Sequence, residues 1–250
     1  MSGIGKQLGY GTSLLIALCA VVGCDVWKPP EPTTGETDRG LVVMYPGAMN
    51  THTEMLGFYL AARLAGVDRA IEIVPWAPSM SFFLNPSEFS EWLKPWATIE
   101  ADRIAAYQDA HPGAPVALLG YSAGTMVATI VTEQMSPGHE VENVVLMSPG
   151  MKADYDLTLM LSKTRDGAVV YWSPRDQVTI SQLGPYAAFD AAWARPAAAF
   201  GFDLQDVRLT QIEWDESMAA IGNLGDHFDA IINIGWLAAV DPKATPPAAM

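Results

Sequence analysis

The 250-residue chain is short of the residues that would mark several protein classes. Only two cysteines are present, Cys19 and Cys24, so a disulfide-stapled scaffold is excluded. Basic residues are scarce, with 14 Lys and Arg against 28 Asp and Glu, a net charge of −14. Such a chain is repelled by phosphate backbones and by anionic lipid surfaces, which argues against a nucleic-acid partner. Histidine occurs four times at scattered positions, and nowhere do His, Cys, Asp and Glu recur at metal-ligand spacing. A phosphate-cradling loop is also missing, because the glycine turn at Gly120 has no following lysine. No metal or cofactor is therefore expected. Internal repeats are absent, and no apolar run is long enough to span a bilayer comfortably.

The longest apolar run, Leu14–Val22, follows a single charge, Lys6, and ends in small residues. That pattern is a secretory signal. Its ending, Val21-Val22-Gly23-Cys24, resembles the lipobox of bacterial lipoproteins. The resemblance implies cleavage after Gly23, lipidation of Cys24 and residence in the bacterial cell envelope, on the periplasmic or outer side. Several acyl chains give stable anchoring where one gives only marginal binding. Removal of 1–23 takes away Cys19, so the mature domain has no disulfide. Residues 24–40 are rich in Pro, Glu and Thr and read as the lipidated cysteine plus an extended tether. A single domain over 41–241 and a tail over 242–250 complete the chain.

Within 41–241 short apolar runs alternate with segments of helical spacing. The strands are expected at Leu41–Tyr45, Ala70–Val74, Val116–Gly120, Val141–Met147, Ala168–Trp172 and Asp206–Glu213. Helices are expected at Glu54–Leu64, Glu88–Ala110 (divided by Pro95), after Ser122, and Phe228–Val240. Mostly unalternating strands separated by helices indicate a parallel sheet covered on both faces, a three-layer α/β/α sandwich of about six strands. Ligands in such sheets bind beyond the carboxyl ends of the strands.

The third strand runs into Gly120-Tyr121-Ser122-Ala123-Gly124, a G-x-S-x-G pattern. The glycines let a strand reverse sharply into a helix and hold the serine hydroxyl at the tip of the turn. A serine nucleophile needs a base, and the base needs an acid. His52, His111 and His139 are poorly placed: His111 caps a helix end, and His139 precedes the fourth strand at the opposite edge. His227, in the glycine-rich loop Gly222–His227 after the last strand, is on the correct edge. Asp176, just past the fifth strand, is the best acid, with Asp154 and Asp156 as competitors and Asp226 too close in sequence to His227.

The order Ser122, Asp176, His227, each after its own strand, resembles the α/β-hydrolase superfamily over about Leu41–Val240. The resemblance implies a minimal fold without a large cap, a Ser-His-Asp triad, and an oxyanion hole from the amide of Ala123 and that of Gly47 or Ala48. It also implies hydrolysis of a small-molecule carboxylic ester. A thioesterase, amidase or acyltransferase would use the same residues, and a non-catalytic, membrane-tethered binding protein would keep the same fold. Two departures from the family stand out: its usual first two strands have no counterpart, and Tyr45-Pro46 replaces the common His-Gly pair at the oxyanion loop. Aromatic residues gather at Trp76, Phe82, Phe83, Phe89, Trp92 and Trp96, and again at Phe189, Trp193, Phe200 and Phe202. Packing of helices onto the sheet is the favoured role for most of them, with an acyl-binding wall as the alternative.

Overall fold

A computed structural model of the chain describes residues 25–78, 86–180 and 195–232. The leader, Cys24, the tail from 242, and Phe82, Phe83, Phe189 and Trp193 lie outside the described residues.

Six strands form one parallel sheet: β1 (Leu41–Tyr45), β2 (Ala70–Ile73), β3 (Val116–Tyr121), β4 (Asn143–Met147), β5 (Ala168–Trp172) and β6 (Leu209–Glu213), in the order β2-β1-β3-β4-β5-β6. The register brings the carboxyl ends level. Tyr45 stands opposite Gly120, Tyr121 opposite Met147, and Trp172 opposite Glu213. Loops leaving β1, β3, β4, β5 and β6 therefore open on one edge.

Both faces of the sheet are buried, as the continuous apolar strands require. On one face Val43, Leu118, Val144, Leu146 and Val170 pack with residues of α3 (Pro86–Ala110) and α4 (Gly124–Glu133), among them Leu93, Ala97, Ile104, Val127 and Val131. On the other, Met44, Ile71, Tyr121, Met147 and Tyr171 pack with Phe58 and Tyr59 of α2 (Leu56–Leu64) and Ile231 of α9 (Asp229–Ile232). Each fully buried aliphatic side chain contributes about 1.5–3 kcal/mol. The short helices α1 (Thr34–Arg39), α5 (Thr158–Ser162), α6 (Gln177–Ile180), α7 (Ala197–Phe200) and α8 (Glu216–Ala219) complete the chain.

Three expectations need correction. Residues 25–40 are not a free tether. Thr33 and Glu36 make a capping box: the Thr33 hydroxyl accepts the Glu36 N–H at 3.3 Å and the Glu36 carboxylate accepts the Thr33 N–H at 2.8 Å, which starts α1. Tyr107 then donates to the Thr37 carbonyl at 2.6 Å, and Arg63 pairs with Glu36 at 2.9 Å. Nearer the N-terminus, the Asp25 carboxylate accepts the His52 and Thr53 N–H groups at 3.0 and 3.3 Å and lies 2.7 Å from His52 Nδ1. The Thr53 hydroxyl accepts the N–H groups of Val26 and Trp27. Polar docking, together with the Trp27 ring packed 5.2 Å from that of Tyr59, fixes the segment.

The second correction concerns Pro95, which sits inside a continuous 25-residue α3. It lies on the exposed side of the helix, while Leu93 and Ala97 are buried and the Trp92 and Trp96 rings stack 5.7 Å apart on the sheet side. Packing of these flanks outweighs the roughly 3 kcal/mol cost of an interior proline. Third, β6 starts at Leu209, because the Asp206 carboxylate accepts the Arg208 N–H and makes a turn there.

Candidate active site

Ser122 sits at the turn between β3 and α4 with φ at 54°, a left-handed conformation that costs a side-chain-bearing residue about 1–3 kcal/mol. Backbone hydrogen bonds and the Thr125 hydroxyl, which donates to the Ser122 carbonyl at 2.6 Å, hold it there. Its N–H donates to the Met147 carbonyl at 2.9 Å, and its own carbonyl accepts the N–H groups of Thr125 at 3.1 Å and Gly150 at 3.0 Å. The flanking glycines are needed for close approach. A Cβ on Gly120 would fall 2.5 Å from the Gly124 carbonyl oxygen, and one on Gly124 would fall 2.1 Å from the carbonyl oxygen of Tyr45. The elbow is thus pressed against the first residues after β1.

His227 and Asp176 meet Ser122 at hydrogen-bond distance. Ser122 Oγ lies 2.7 Å from His227 Nε2, and His227 Nδ1 lies 2.7 Å from Asp176 Oδ2. All three are buried, at 1, 3 and 1% exposure. The serine O–H can donate to Nε2 only if Nδ1 carries the ring proton, and the carboxylate at Nδ1 favours that tautomer. Asp176 is fixed in turn: its Oδ1 accepts the Thr179 N–H at 3.0 Å. The loop before His227 is built on β6. Trp214 donates its indole N–H to the Asn223 carbonyl at 2.8 Å, and Asn223 Oδ1 accepts the Gly225 N–H at 2.9 Å. Tyr121 reaches across to donate its hydroxyl to the His227 carbonyl at 3.0 Å.

The loop after β1 stands opposite. A Cβ on Gly47 would lie 3.1 Å from Ser122 Cβ, so Gly47 is against the serine. Tyr45 turns its ring away into the core, where its hydroxyl donates to Glu100 at 3.0 Å. The loop's shape comes from other residues. Asn50, itself at φ 55°, accepts the Trp76 and Ala77 N–H groups at 2.6 and 3.1 Å and donates to the Ala77 carbonyl at 2.7 Å. Trp76 donates its indole N–H to the Pro46 carbonyl at 2.8 Å. Glu54, at 3% exposure, accepts the Asn50 N–H at 3.1 Å. Burial pushes its carboxyl up from 4.5 to about 8, against the pull of the backbone N–H groups of Asn50, Met49, Thr51 and Gly47. Among the described residues, the N–H groups of Ala48 and Ala123 have no hydrogen-bond acceptor.

The remaining candidates are elsewhere. His52 pairs with Asp25, His111 with Asp38 at 3.2 Å, and His139 with Asp109 at 3.1 Å beside a 290 Å³ groove at the amino-terminal edge. Asp156 caps Thr158, Asp154 is exposed, and the Asp226 side chain faces solvent. Trp76, Trp92 and Trp96 pack with the core, as does Phe202, while Phe200 is exposed under Arg195. No group of three or more His, Cys, Asp and Glu that could hold a metal ion occurs among the described residues. Sequence reasoning missed Glu54, Asn50, Gly150 and Tyr121. Asn50 carried a signal, being an asparagine just after Pro-Gly in a strand-end loop.

The parallel sheet, the strained serine at the β3–α4 turn, and an acid and histidine delivered after β5 and β6 define the α/β-hydrolase fold. Residues 100–183, which carry the elbow, β4, β5 and Asp176, match the model of the family described as alpha/beta hydrolase. Solved structures similar to this chain include lipase B of Aspergillus fumigatus, at 15% identity and TM-score 0.48. The match covers 86% of this chain and 54% of that lipase, so the chain spans about half the lipase's length. An esterase of Pyrobaculum calidifontis matches at 14% identity and TM-score 0.48, covering 95% of this chain and 90% of that one. The esterase domain of a Rhodothermus marinus protein matches at 13% identity and TM-score 0.46, covering 85 and 86%. No curated protein sequence matches the chain.

Proposed function

We propose that the protein is a serine hydrolase that cleaves a carboxylic ester of a small-molecule substrate. One observation carries the reading: the unbroken, buried series Ser122 Oγ, His227 Nε2, His227 Nδ1, Asp176 Oδ2, with both links at 2.7 Å. Ser122 attacks the ester carbonyl while His227 takes its proton, and Asp176 stabilises the resulting imidazolium. The tetrahedral oxyanion accepts the amides of Ala123 and of the β1 loop. There the donor is the N–H of Gly47 or of Ala48. His227 then protonates the leaving alkoxide, and water releases the acyl group by the same steps in reverse.

Thioester or amide cleavage, or acyl transfer, would use the same atoms. A binding protein without turnover is the reading from a different class, but a base 2.7 Å from the serine hydroxyl speaks against it. The location belongs to the proposal as well: attachment to a bacterial envelope membrane through a lipidated Cys24. A fluorophosphonate probe tests the chemistry. It should label the wild type and not Ser122→Ala. Well-folded wild type that resists the probe would sink the hydrolase reading. Mass spectrometry of the protein purified from membranes tests the anchor, and an unmodified Cys24 refutes it.

A further inference from the structure

A buried carboxyl group stands on the oxyanion side of the nucleophile, and neither the triad nor the sheet accounts for it. Glu54 belongs to a 3₁₀ turn, Thr53–Met55, that starts α2, and the Thr51 hydroxyl accepts its N–H at 3.1 Å. A Cβ on Gly47 would lie 2.6 Å from Glu54 Oε1 and 3.1 Å from Ser122 Cβ. The carboxyl and the nucleophile therefore face each other across one glycine. We propose that Glu54 is the positioning residue of the oxyanion loop, holding the Gly47–Thr51 backbone from behind, and that it must be uncharged while the acyl oxygen carries negative charge. The proposal rests on the hydrolase reading.

The geometry gives the reason for both halves. Asn50 donates its N–H to Glu54 at 3.1 Å, and the nearby N–H groups of Met49, Thr51 and Gly47 favour the charged form of the same carboxyl against its burial. The bond at Asn50 ties the far end of the loop to the carboxyl, and the Ala48 N–H has no acceptor among the described residues. An ionised Glu54 would set a negative charge across Gly47 from Ser122, and at an effective dielectric near 20 two like charges about 6 Å apart repel enough to slow acylation by roughly 10²-fold. A neutral acid avoids it, and burial favours the neutral form up to a pH of about 8.

Among the described residues, the charged and titratable groups around Glu54 do not supply a counter-charge at the carboxyl. On the chain before it, His52 is engaged with Asp25. Across the elbow stand Tyr121, bonded to the His227 carbonyl, and the His227–Asp176 pair. Beneath β1, Glu100 takes the Tyr45 hydroxyl and pairs with Arg103 at 2.8 Å.

The test is the pH dependence of fluorophosphonate labelling and of p-nitrophenyl acetate turnover, in wild type and Glu54→Gln. Wild type should lose at least tenfold in rate between pH 7 and 9.5. Glu54→Gln, uncharged at every pH, should keep its rate across that range while staying within about tenfold of wild type at pH 7. Labelling with the same alkaline fall in both proteins, or with no fall in wild type, overturns the role of Glu54 and leaves the hydrolase reading standing. Failure of folded wild type to label at any pH refutes the hydrolase reading and the proposal together. Should Glu54→Gln not fold, the wild-type profile decides: a rate level to pH 9.5 overturns the proposal.

Discussion

Replacing Gly124 by alanine should damage catalysis more than folding. The added Cβ would lie 2.1 Å from the Tyr45 carbonyl oxygen, 2.5 Å from that of Pro46 and 2.7 Å from the Tyr45 carbonyl carbon, where ordinary contact begins at 3.4 Å. All three atoms are backbone, so no side chain can swing away. Either the elbow or the loop after β1 must retreat by about 1 Å, and misplacement on that scale costs about 10²-fold in rate. Overpacking of this kind destabilises by about 1–3 kcal/mol, which leaves a 250-residue protein folded with a melting temperature lowered by several degrees. The assay pairs turnover of p-nitrophenyl acetate with thermal unfolding. Gly35→Ala, in the exposed helix α1, serves as a control, since its Cβ meets only the flexible end of Arg39. A Gly124→Ala protein with wild-type turnover and melting temperature would refute the close contact between the elbow and the loop after β1.

Other outcomes follow from the same geometry. Asp176→Asn should keep the fold and lose about 10³–10⁴ in kcat, because the amide no longer selects the Nδ1–H tautomer; an effect below tenfold would remove Asp176 from the triad. Asn50→Ala removes three hydrogen bonds to Trp76 and Ala77 and should cost about 1–3 kcal/mol in denaturant unfolding together with a loss of kcat. Unchanged kcat would mean that the loop holds its shape without Asn50. Stability should also depend on pH at Glu54: its pKa rises from 4.5 to about 8 on folding, so wild type should lose stability relative to Glu54→Gln as pH climbs through that window. Parallel stability curves would contradict the buried, neutral carboxyl. At the opposite edge, burial alone would raise Glu142, but Arg69 and then Arg165 hold it below the ordinary value. Its stabilising contribution is present above pH 4.5 and is lost as pH falls below that, so Glu142→Gln should flatten the acid limb of the stability curve.

The parallel sheet was legible because each strand is a short, continuous apolar run, and because one serine, one acid and one histidine follow three different strands. Placement after a strand fixes the edge of a sheet even when nothing is known of side-chain geometry. The helix at Thr34–Arg39 was also legible in principle, since Thr33-x-x-Glu36 is a capping box, yet the prolines before it dominated the reading. Pro95 misled for the opposite reason: local propensity forbids what the packing of Leu93 and Ala97 enforces. What holds the loop after β1 was hardly legible, beyond the position of Asn50 in a strand-end turn. Glu54 looks like a helix-start carboxylate, and only the folded chain puts it behind Gly47. Asn50 and Trp76 are 26 residues apart and meet only through the pairing of β1 with β2.

The attachment of Asp25 to His52 and Thr53 bears on how the domain would be carried. A flexible leash of 17 residues, from 24 to 40, would let its cargo wander over roughly 20–25 Å and turn freely. With Asp25 fixed, the leash shrinks to the single peptide between positions 24 and 25, and it is fastened one residue from Glu54. If lipid is attached at Cys24, the domain hangs from a point beside the loop after β1 and not from the end of a free leash.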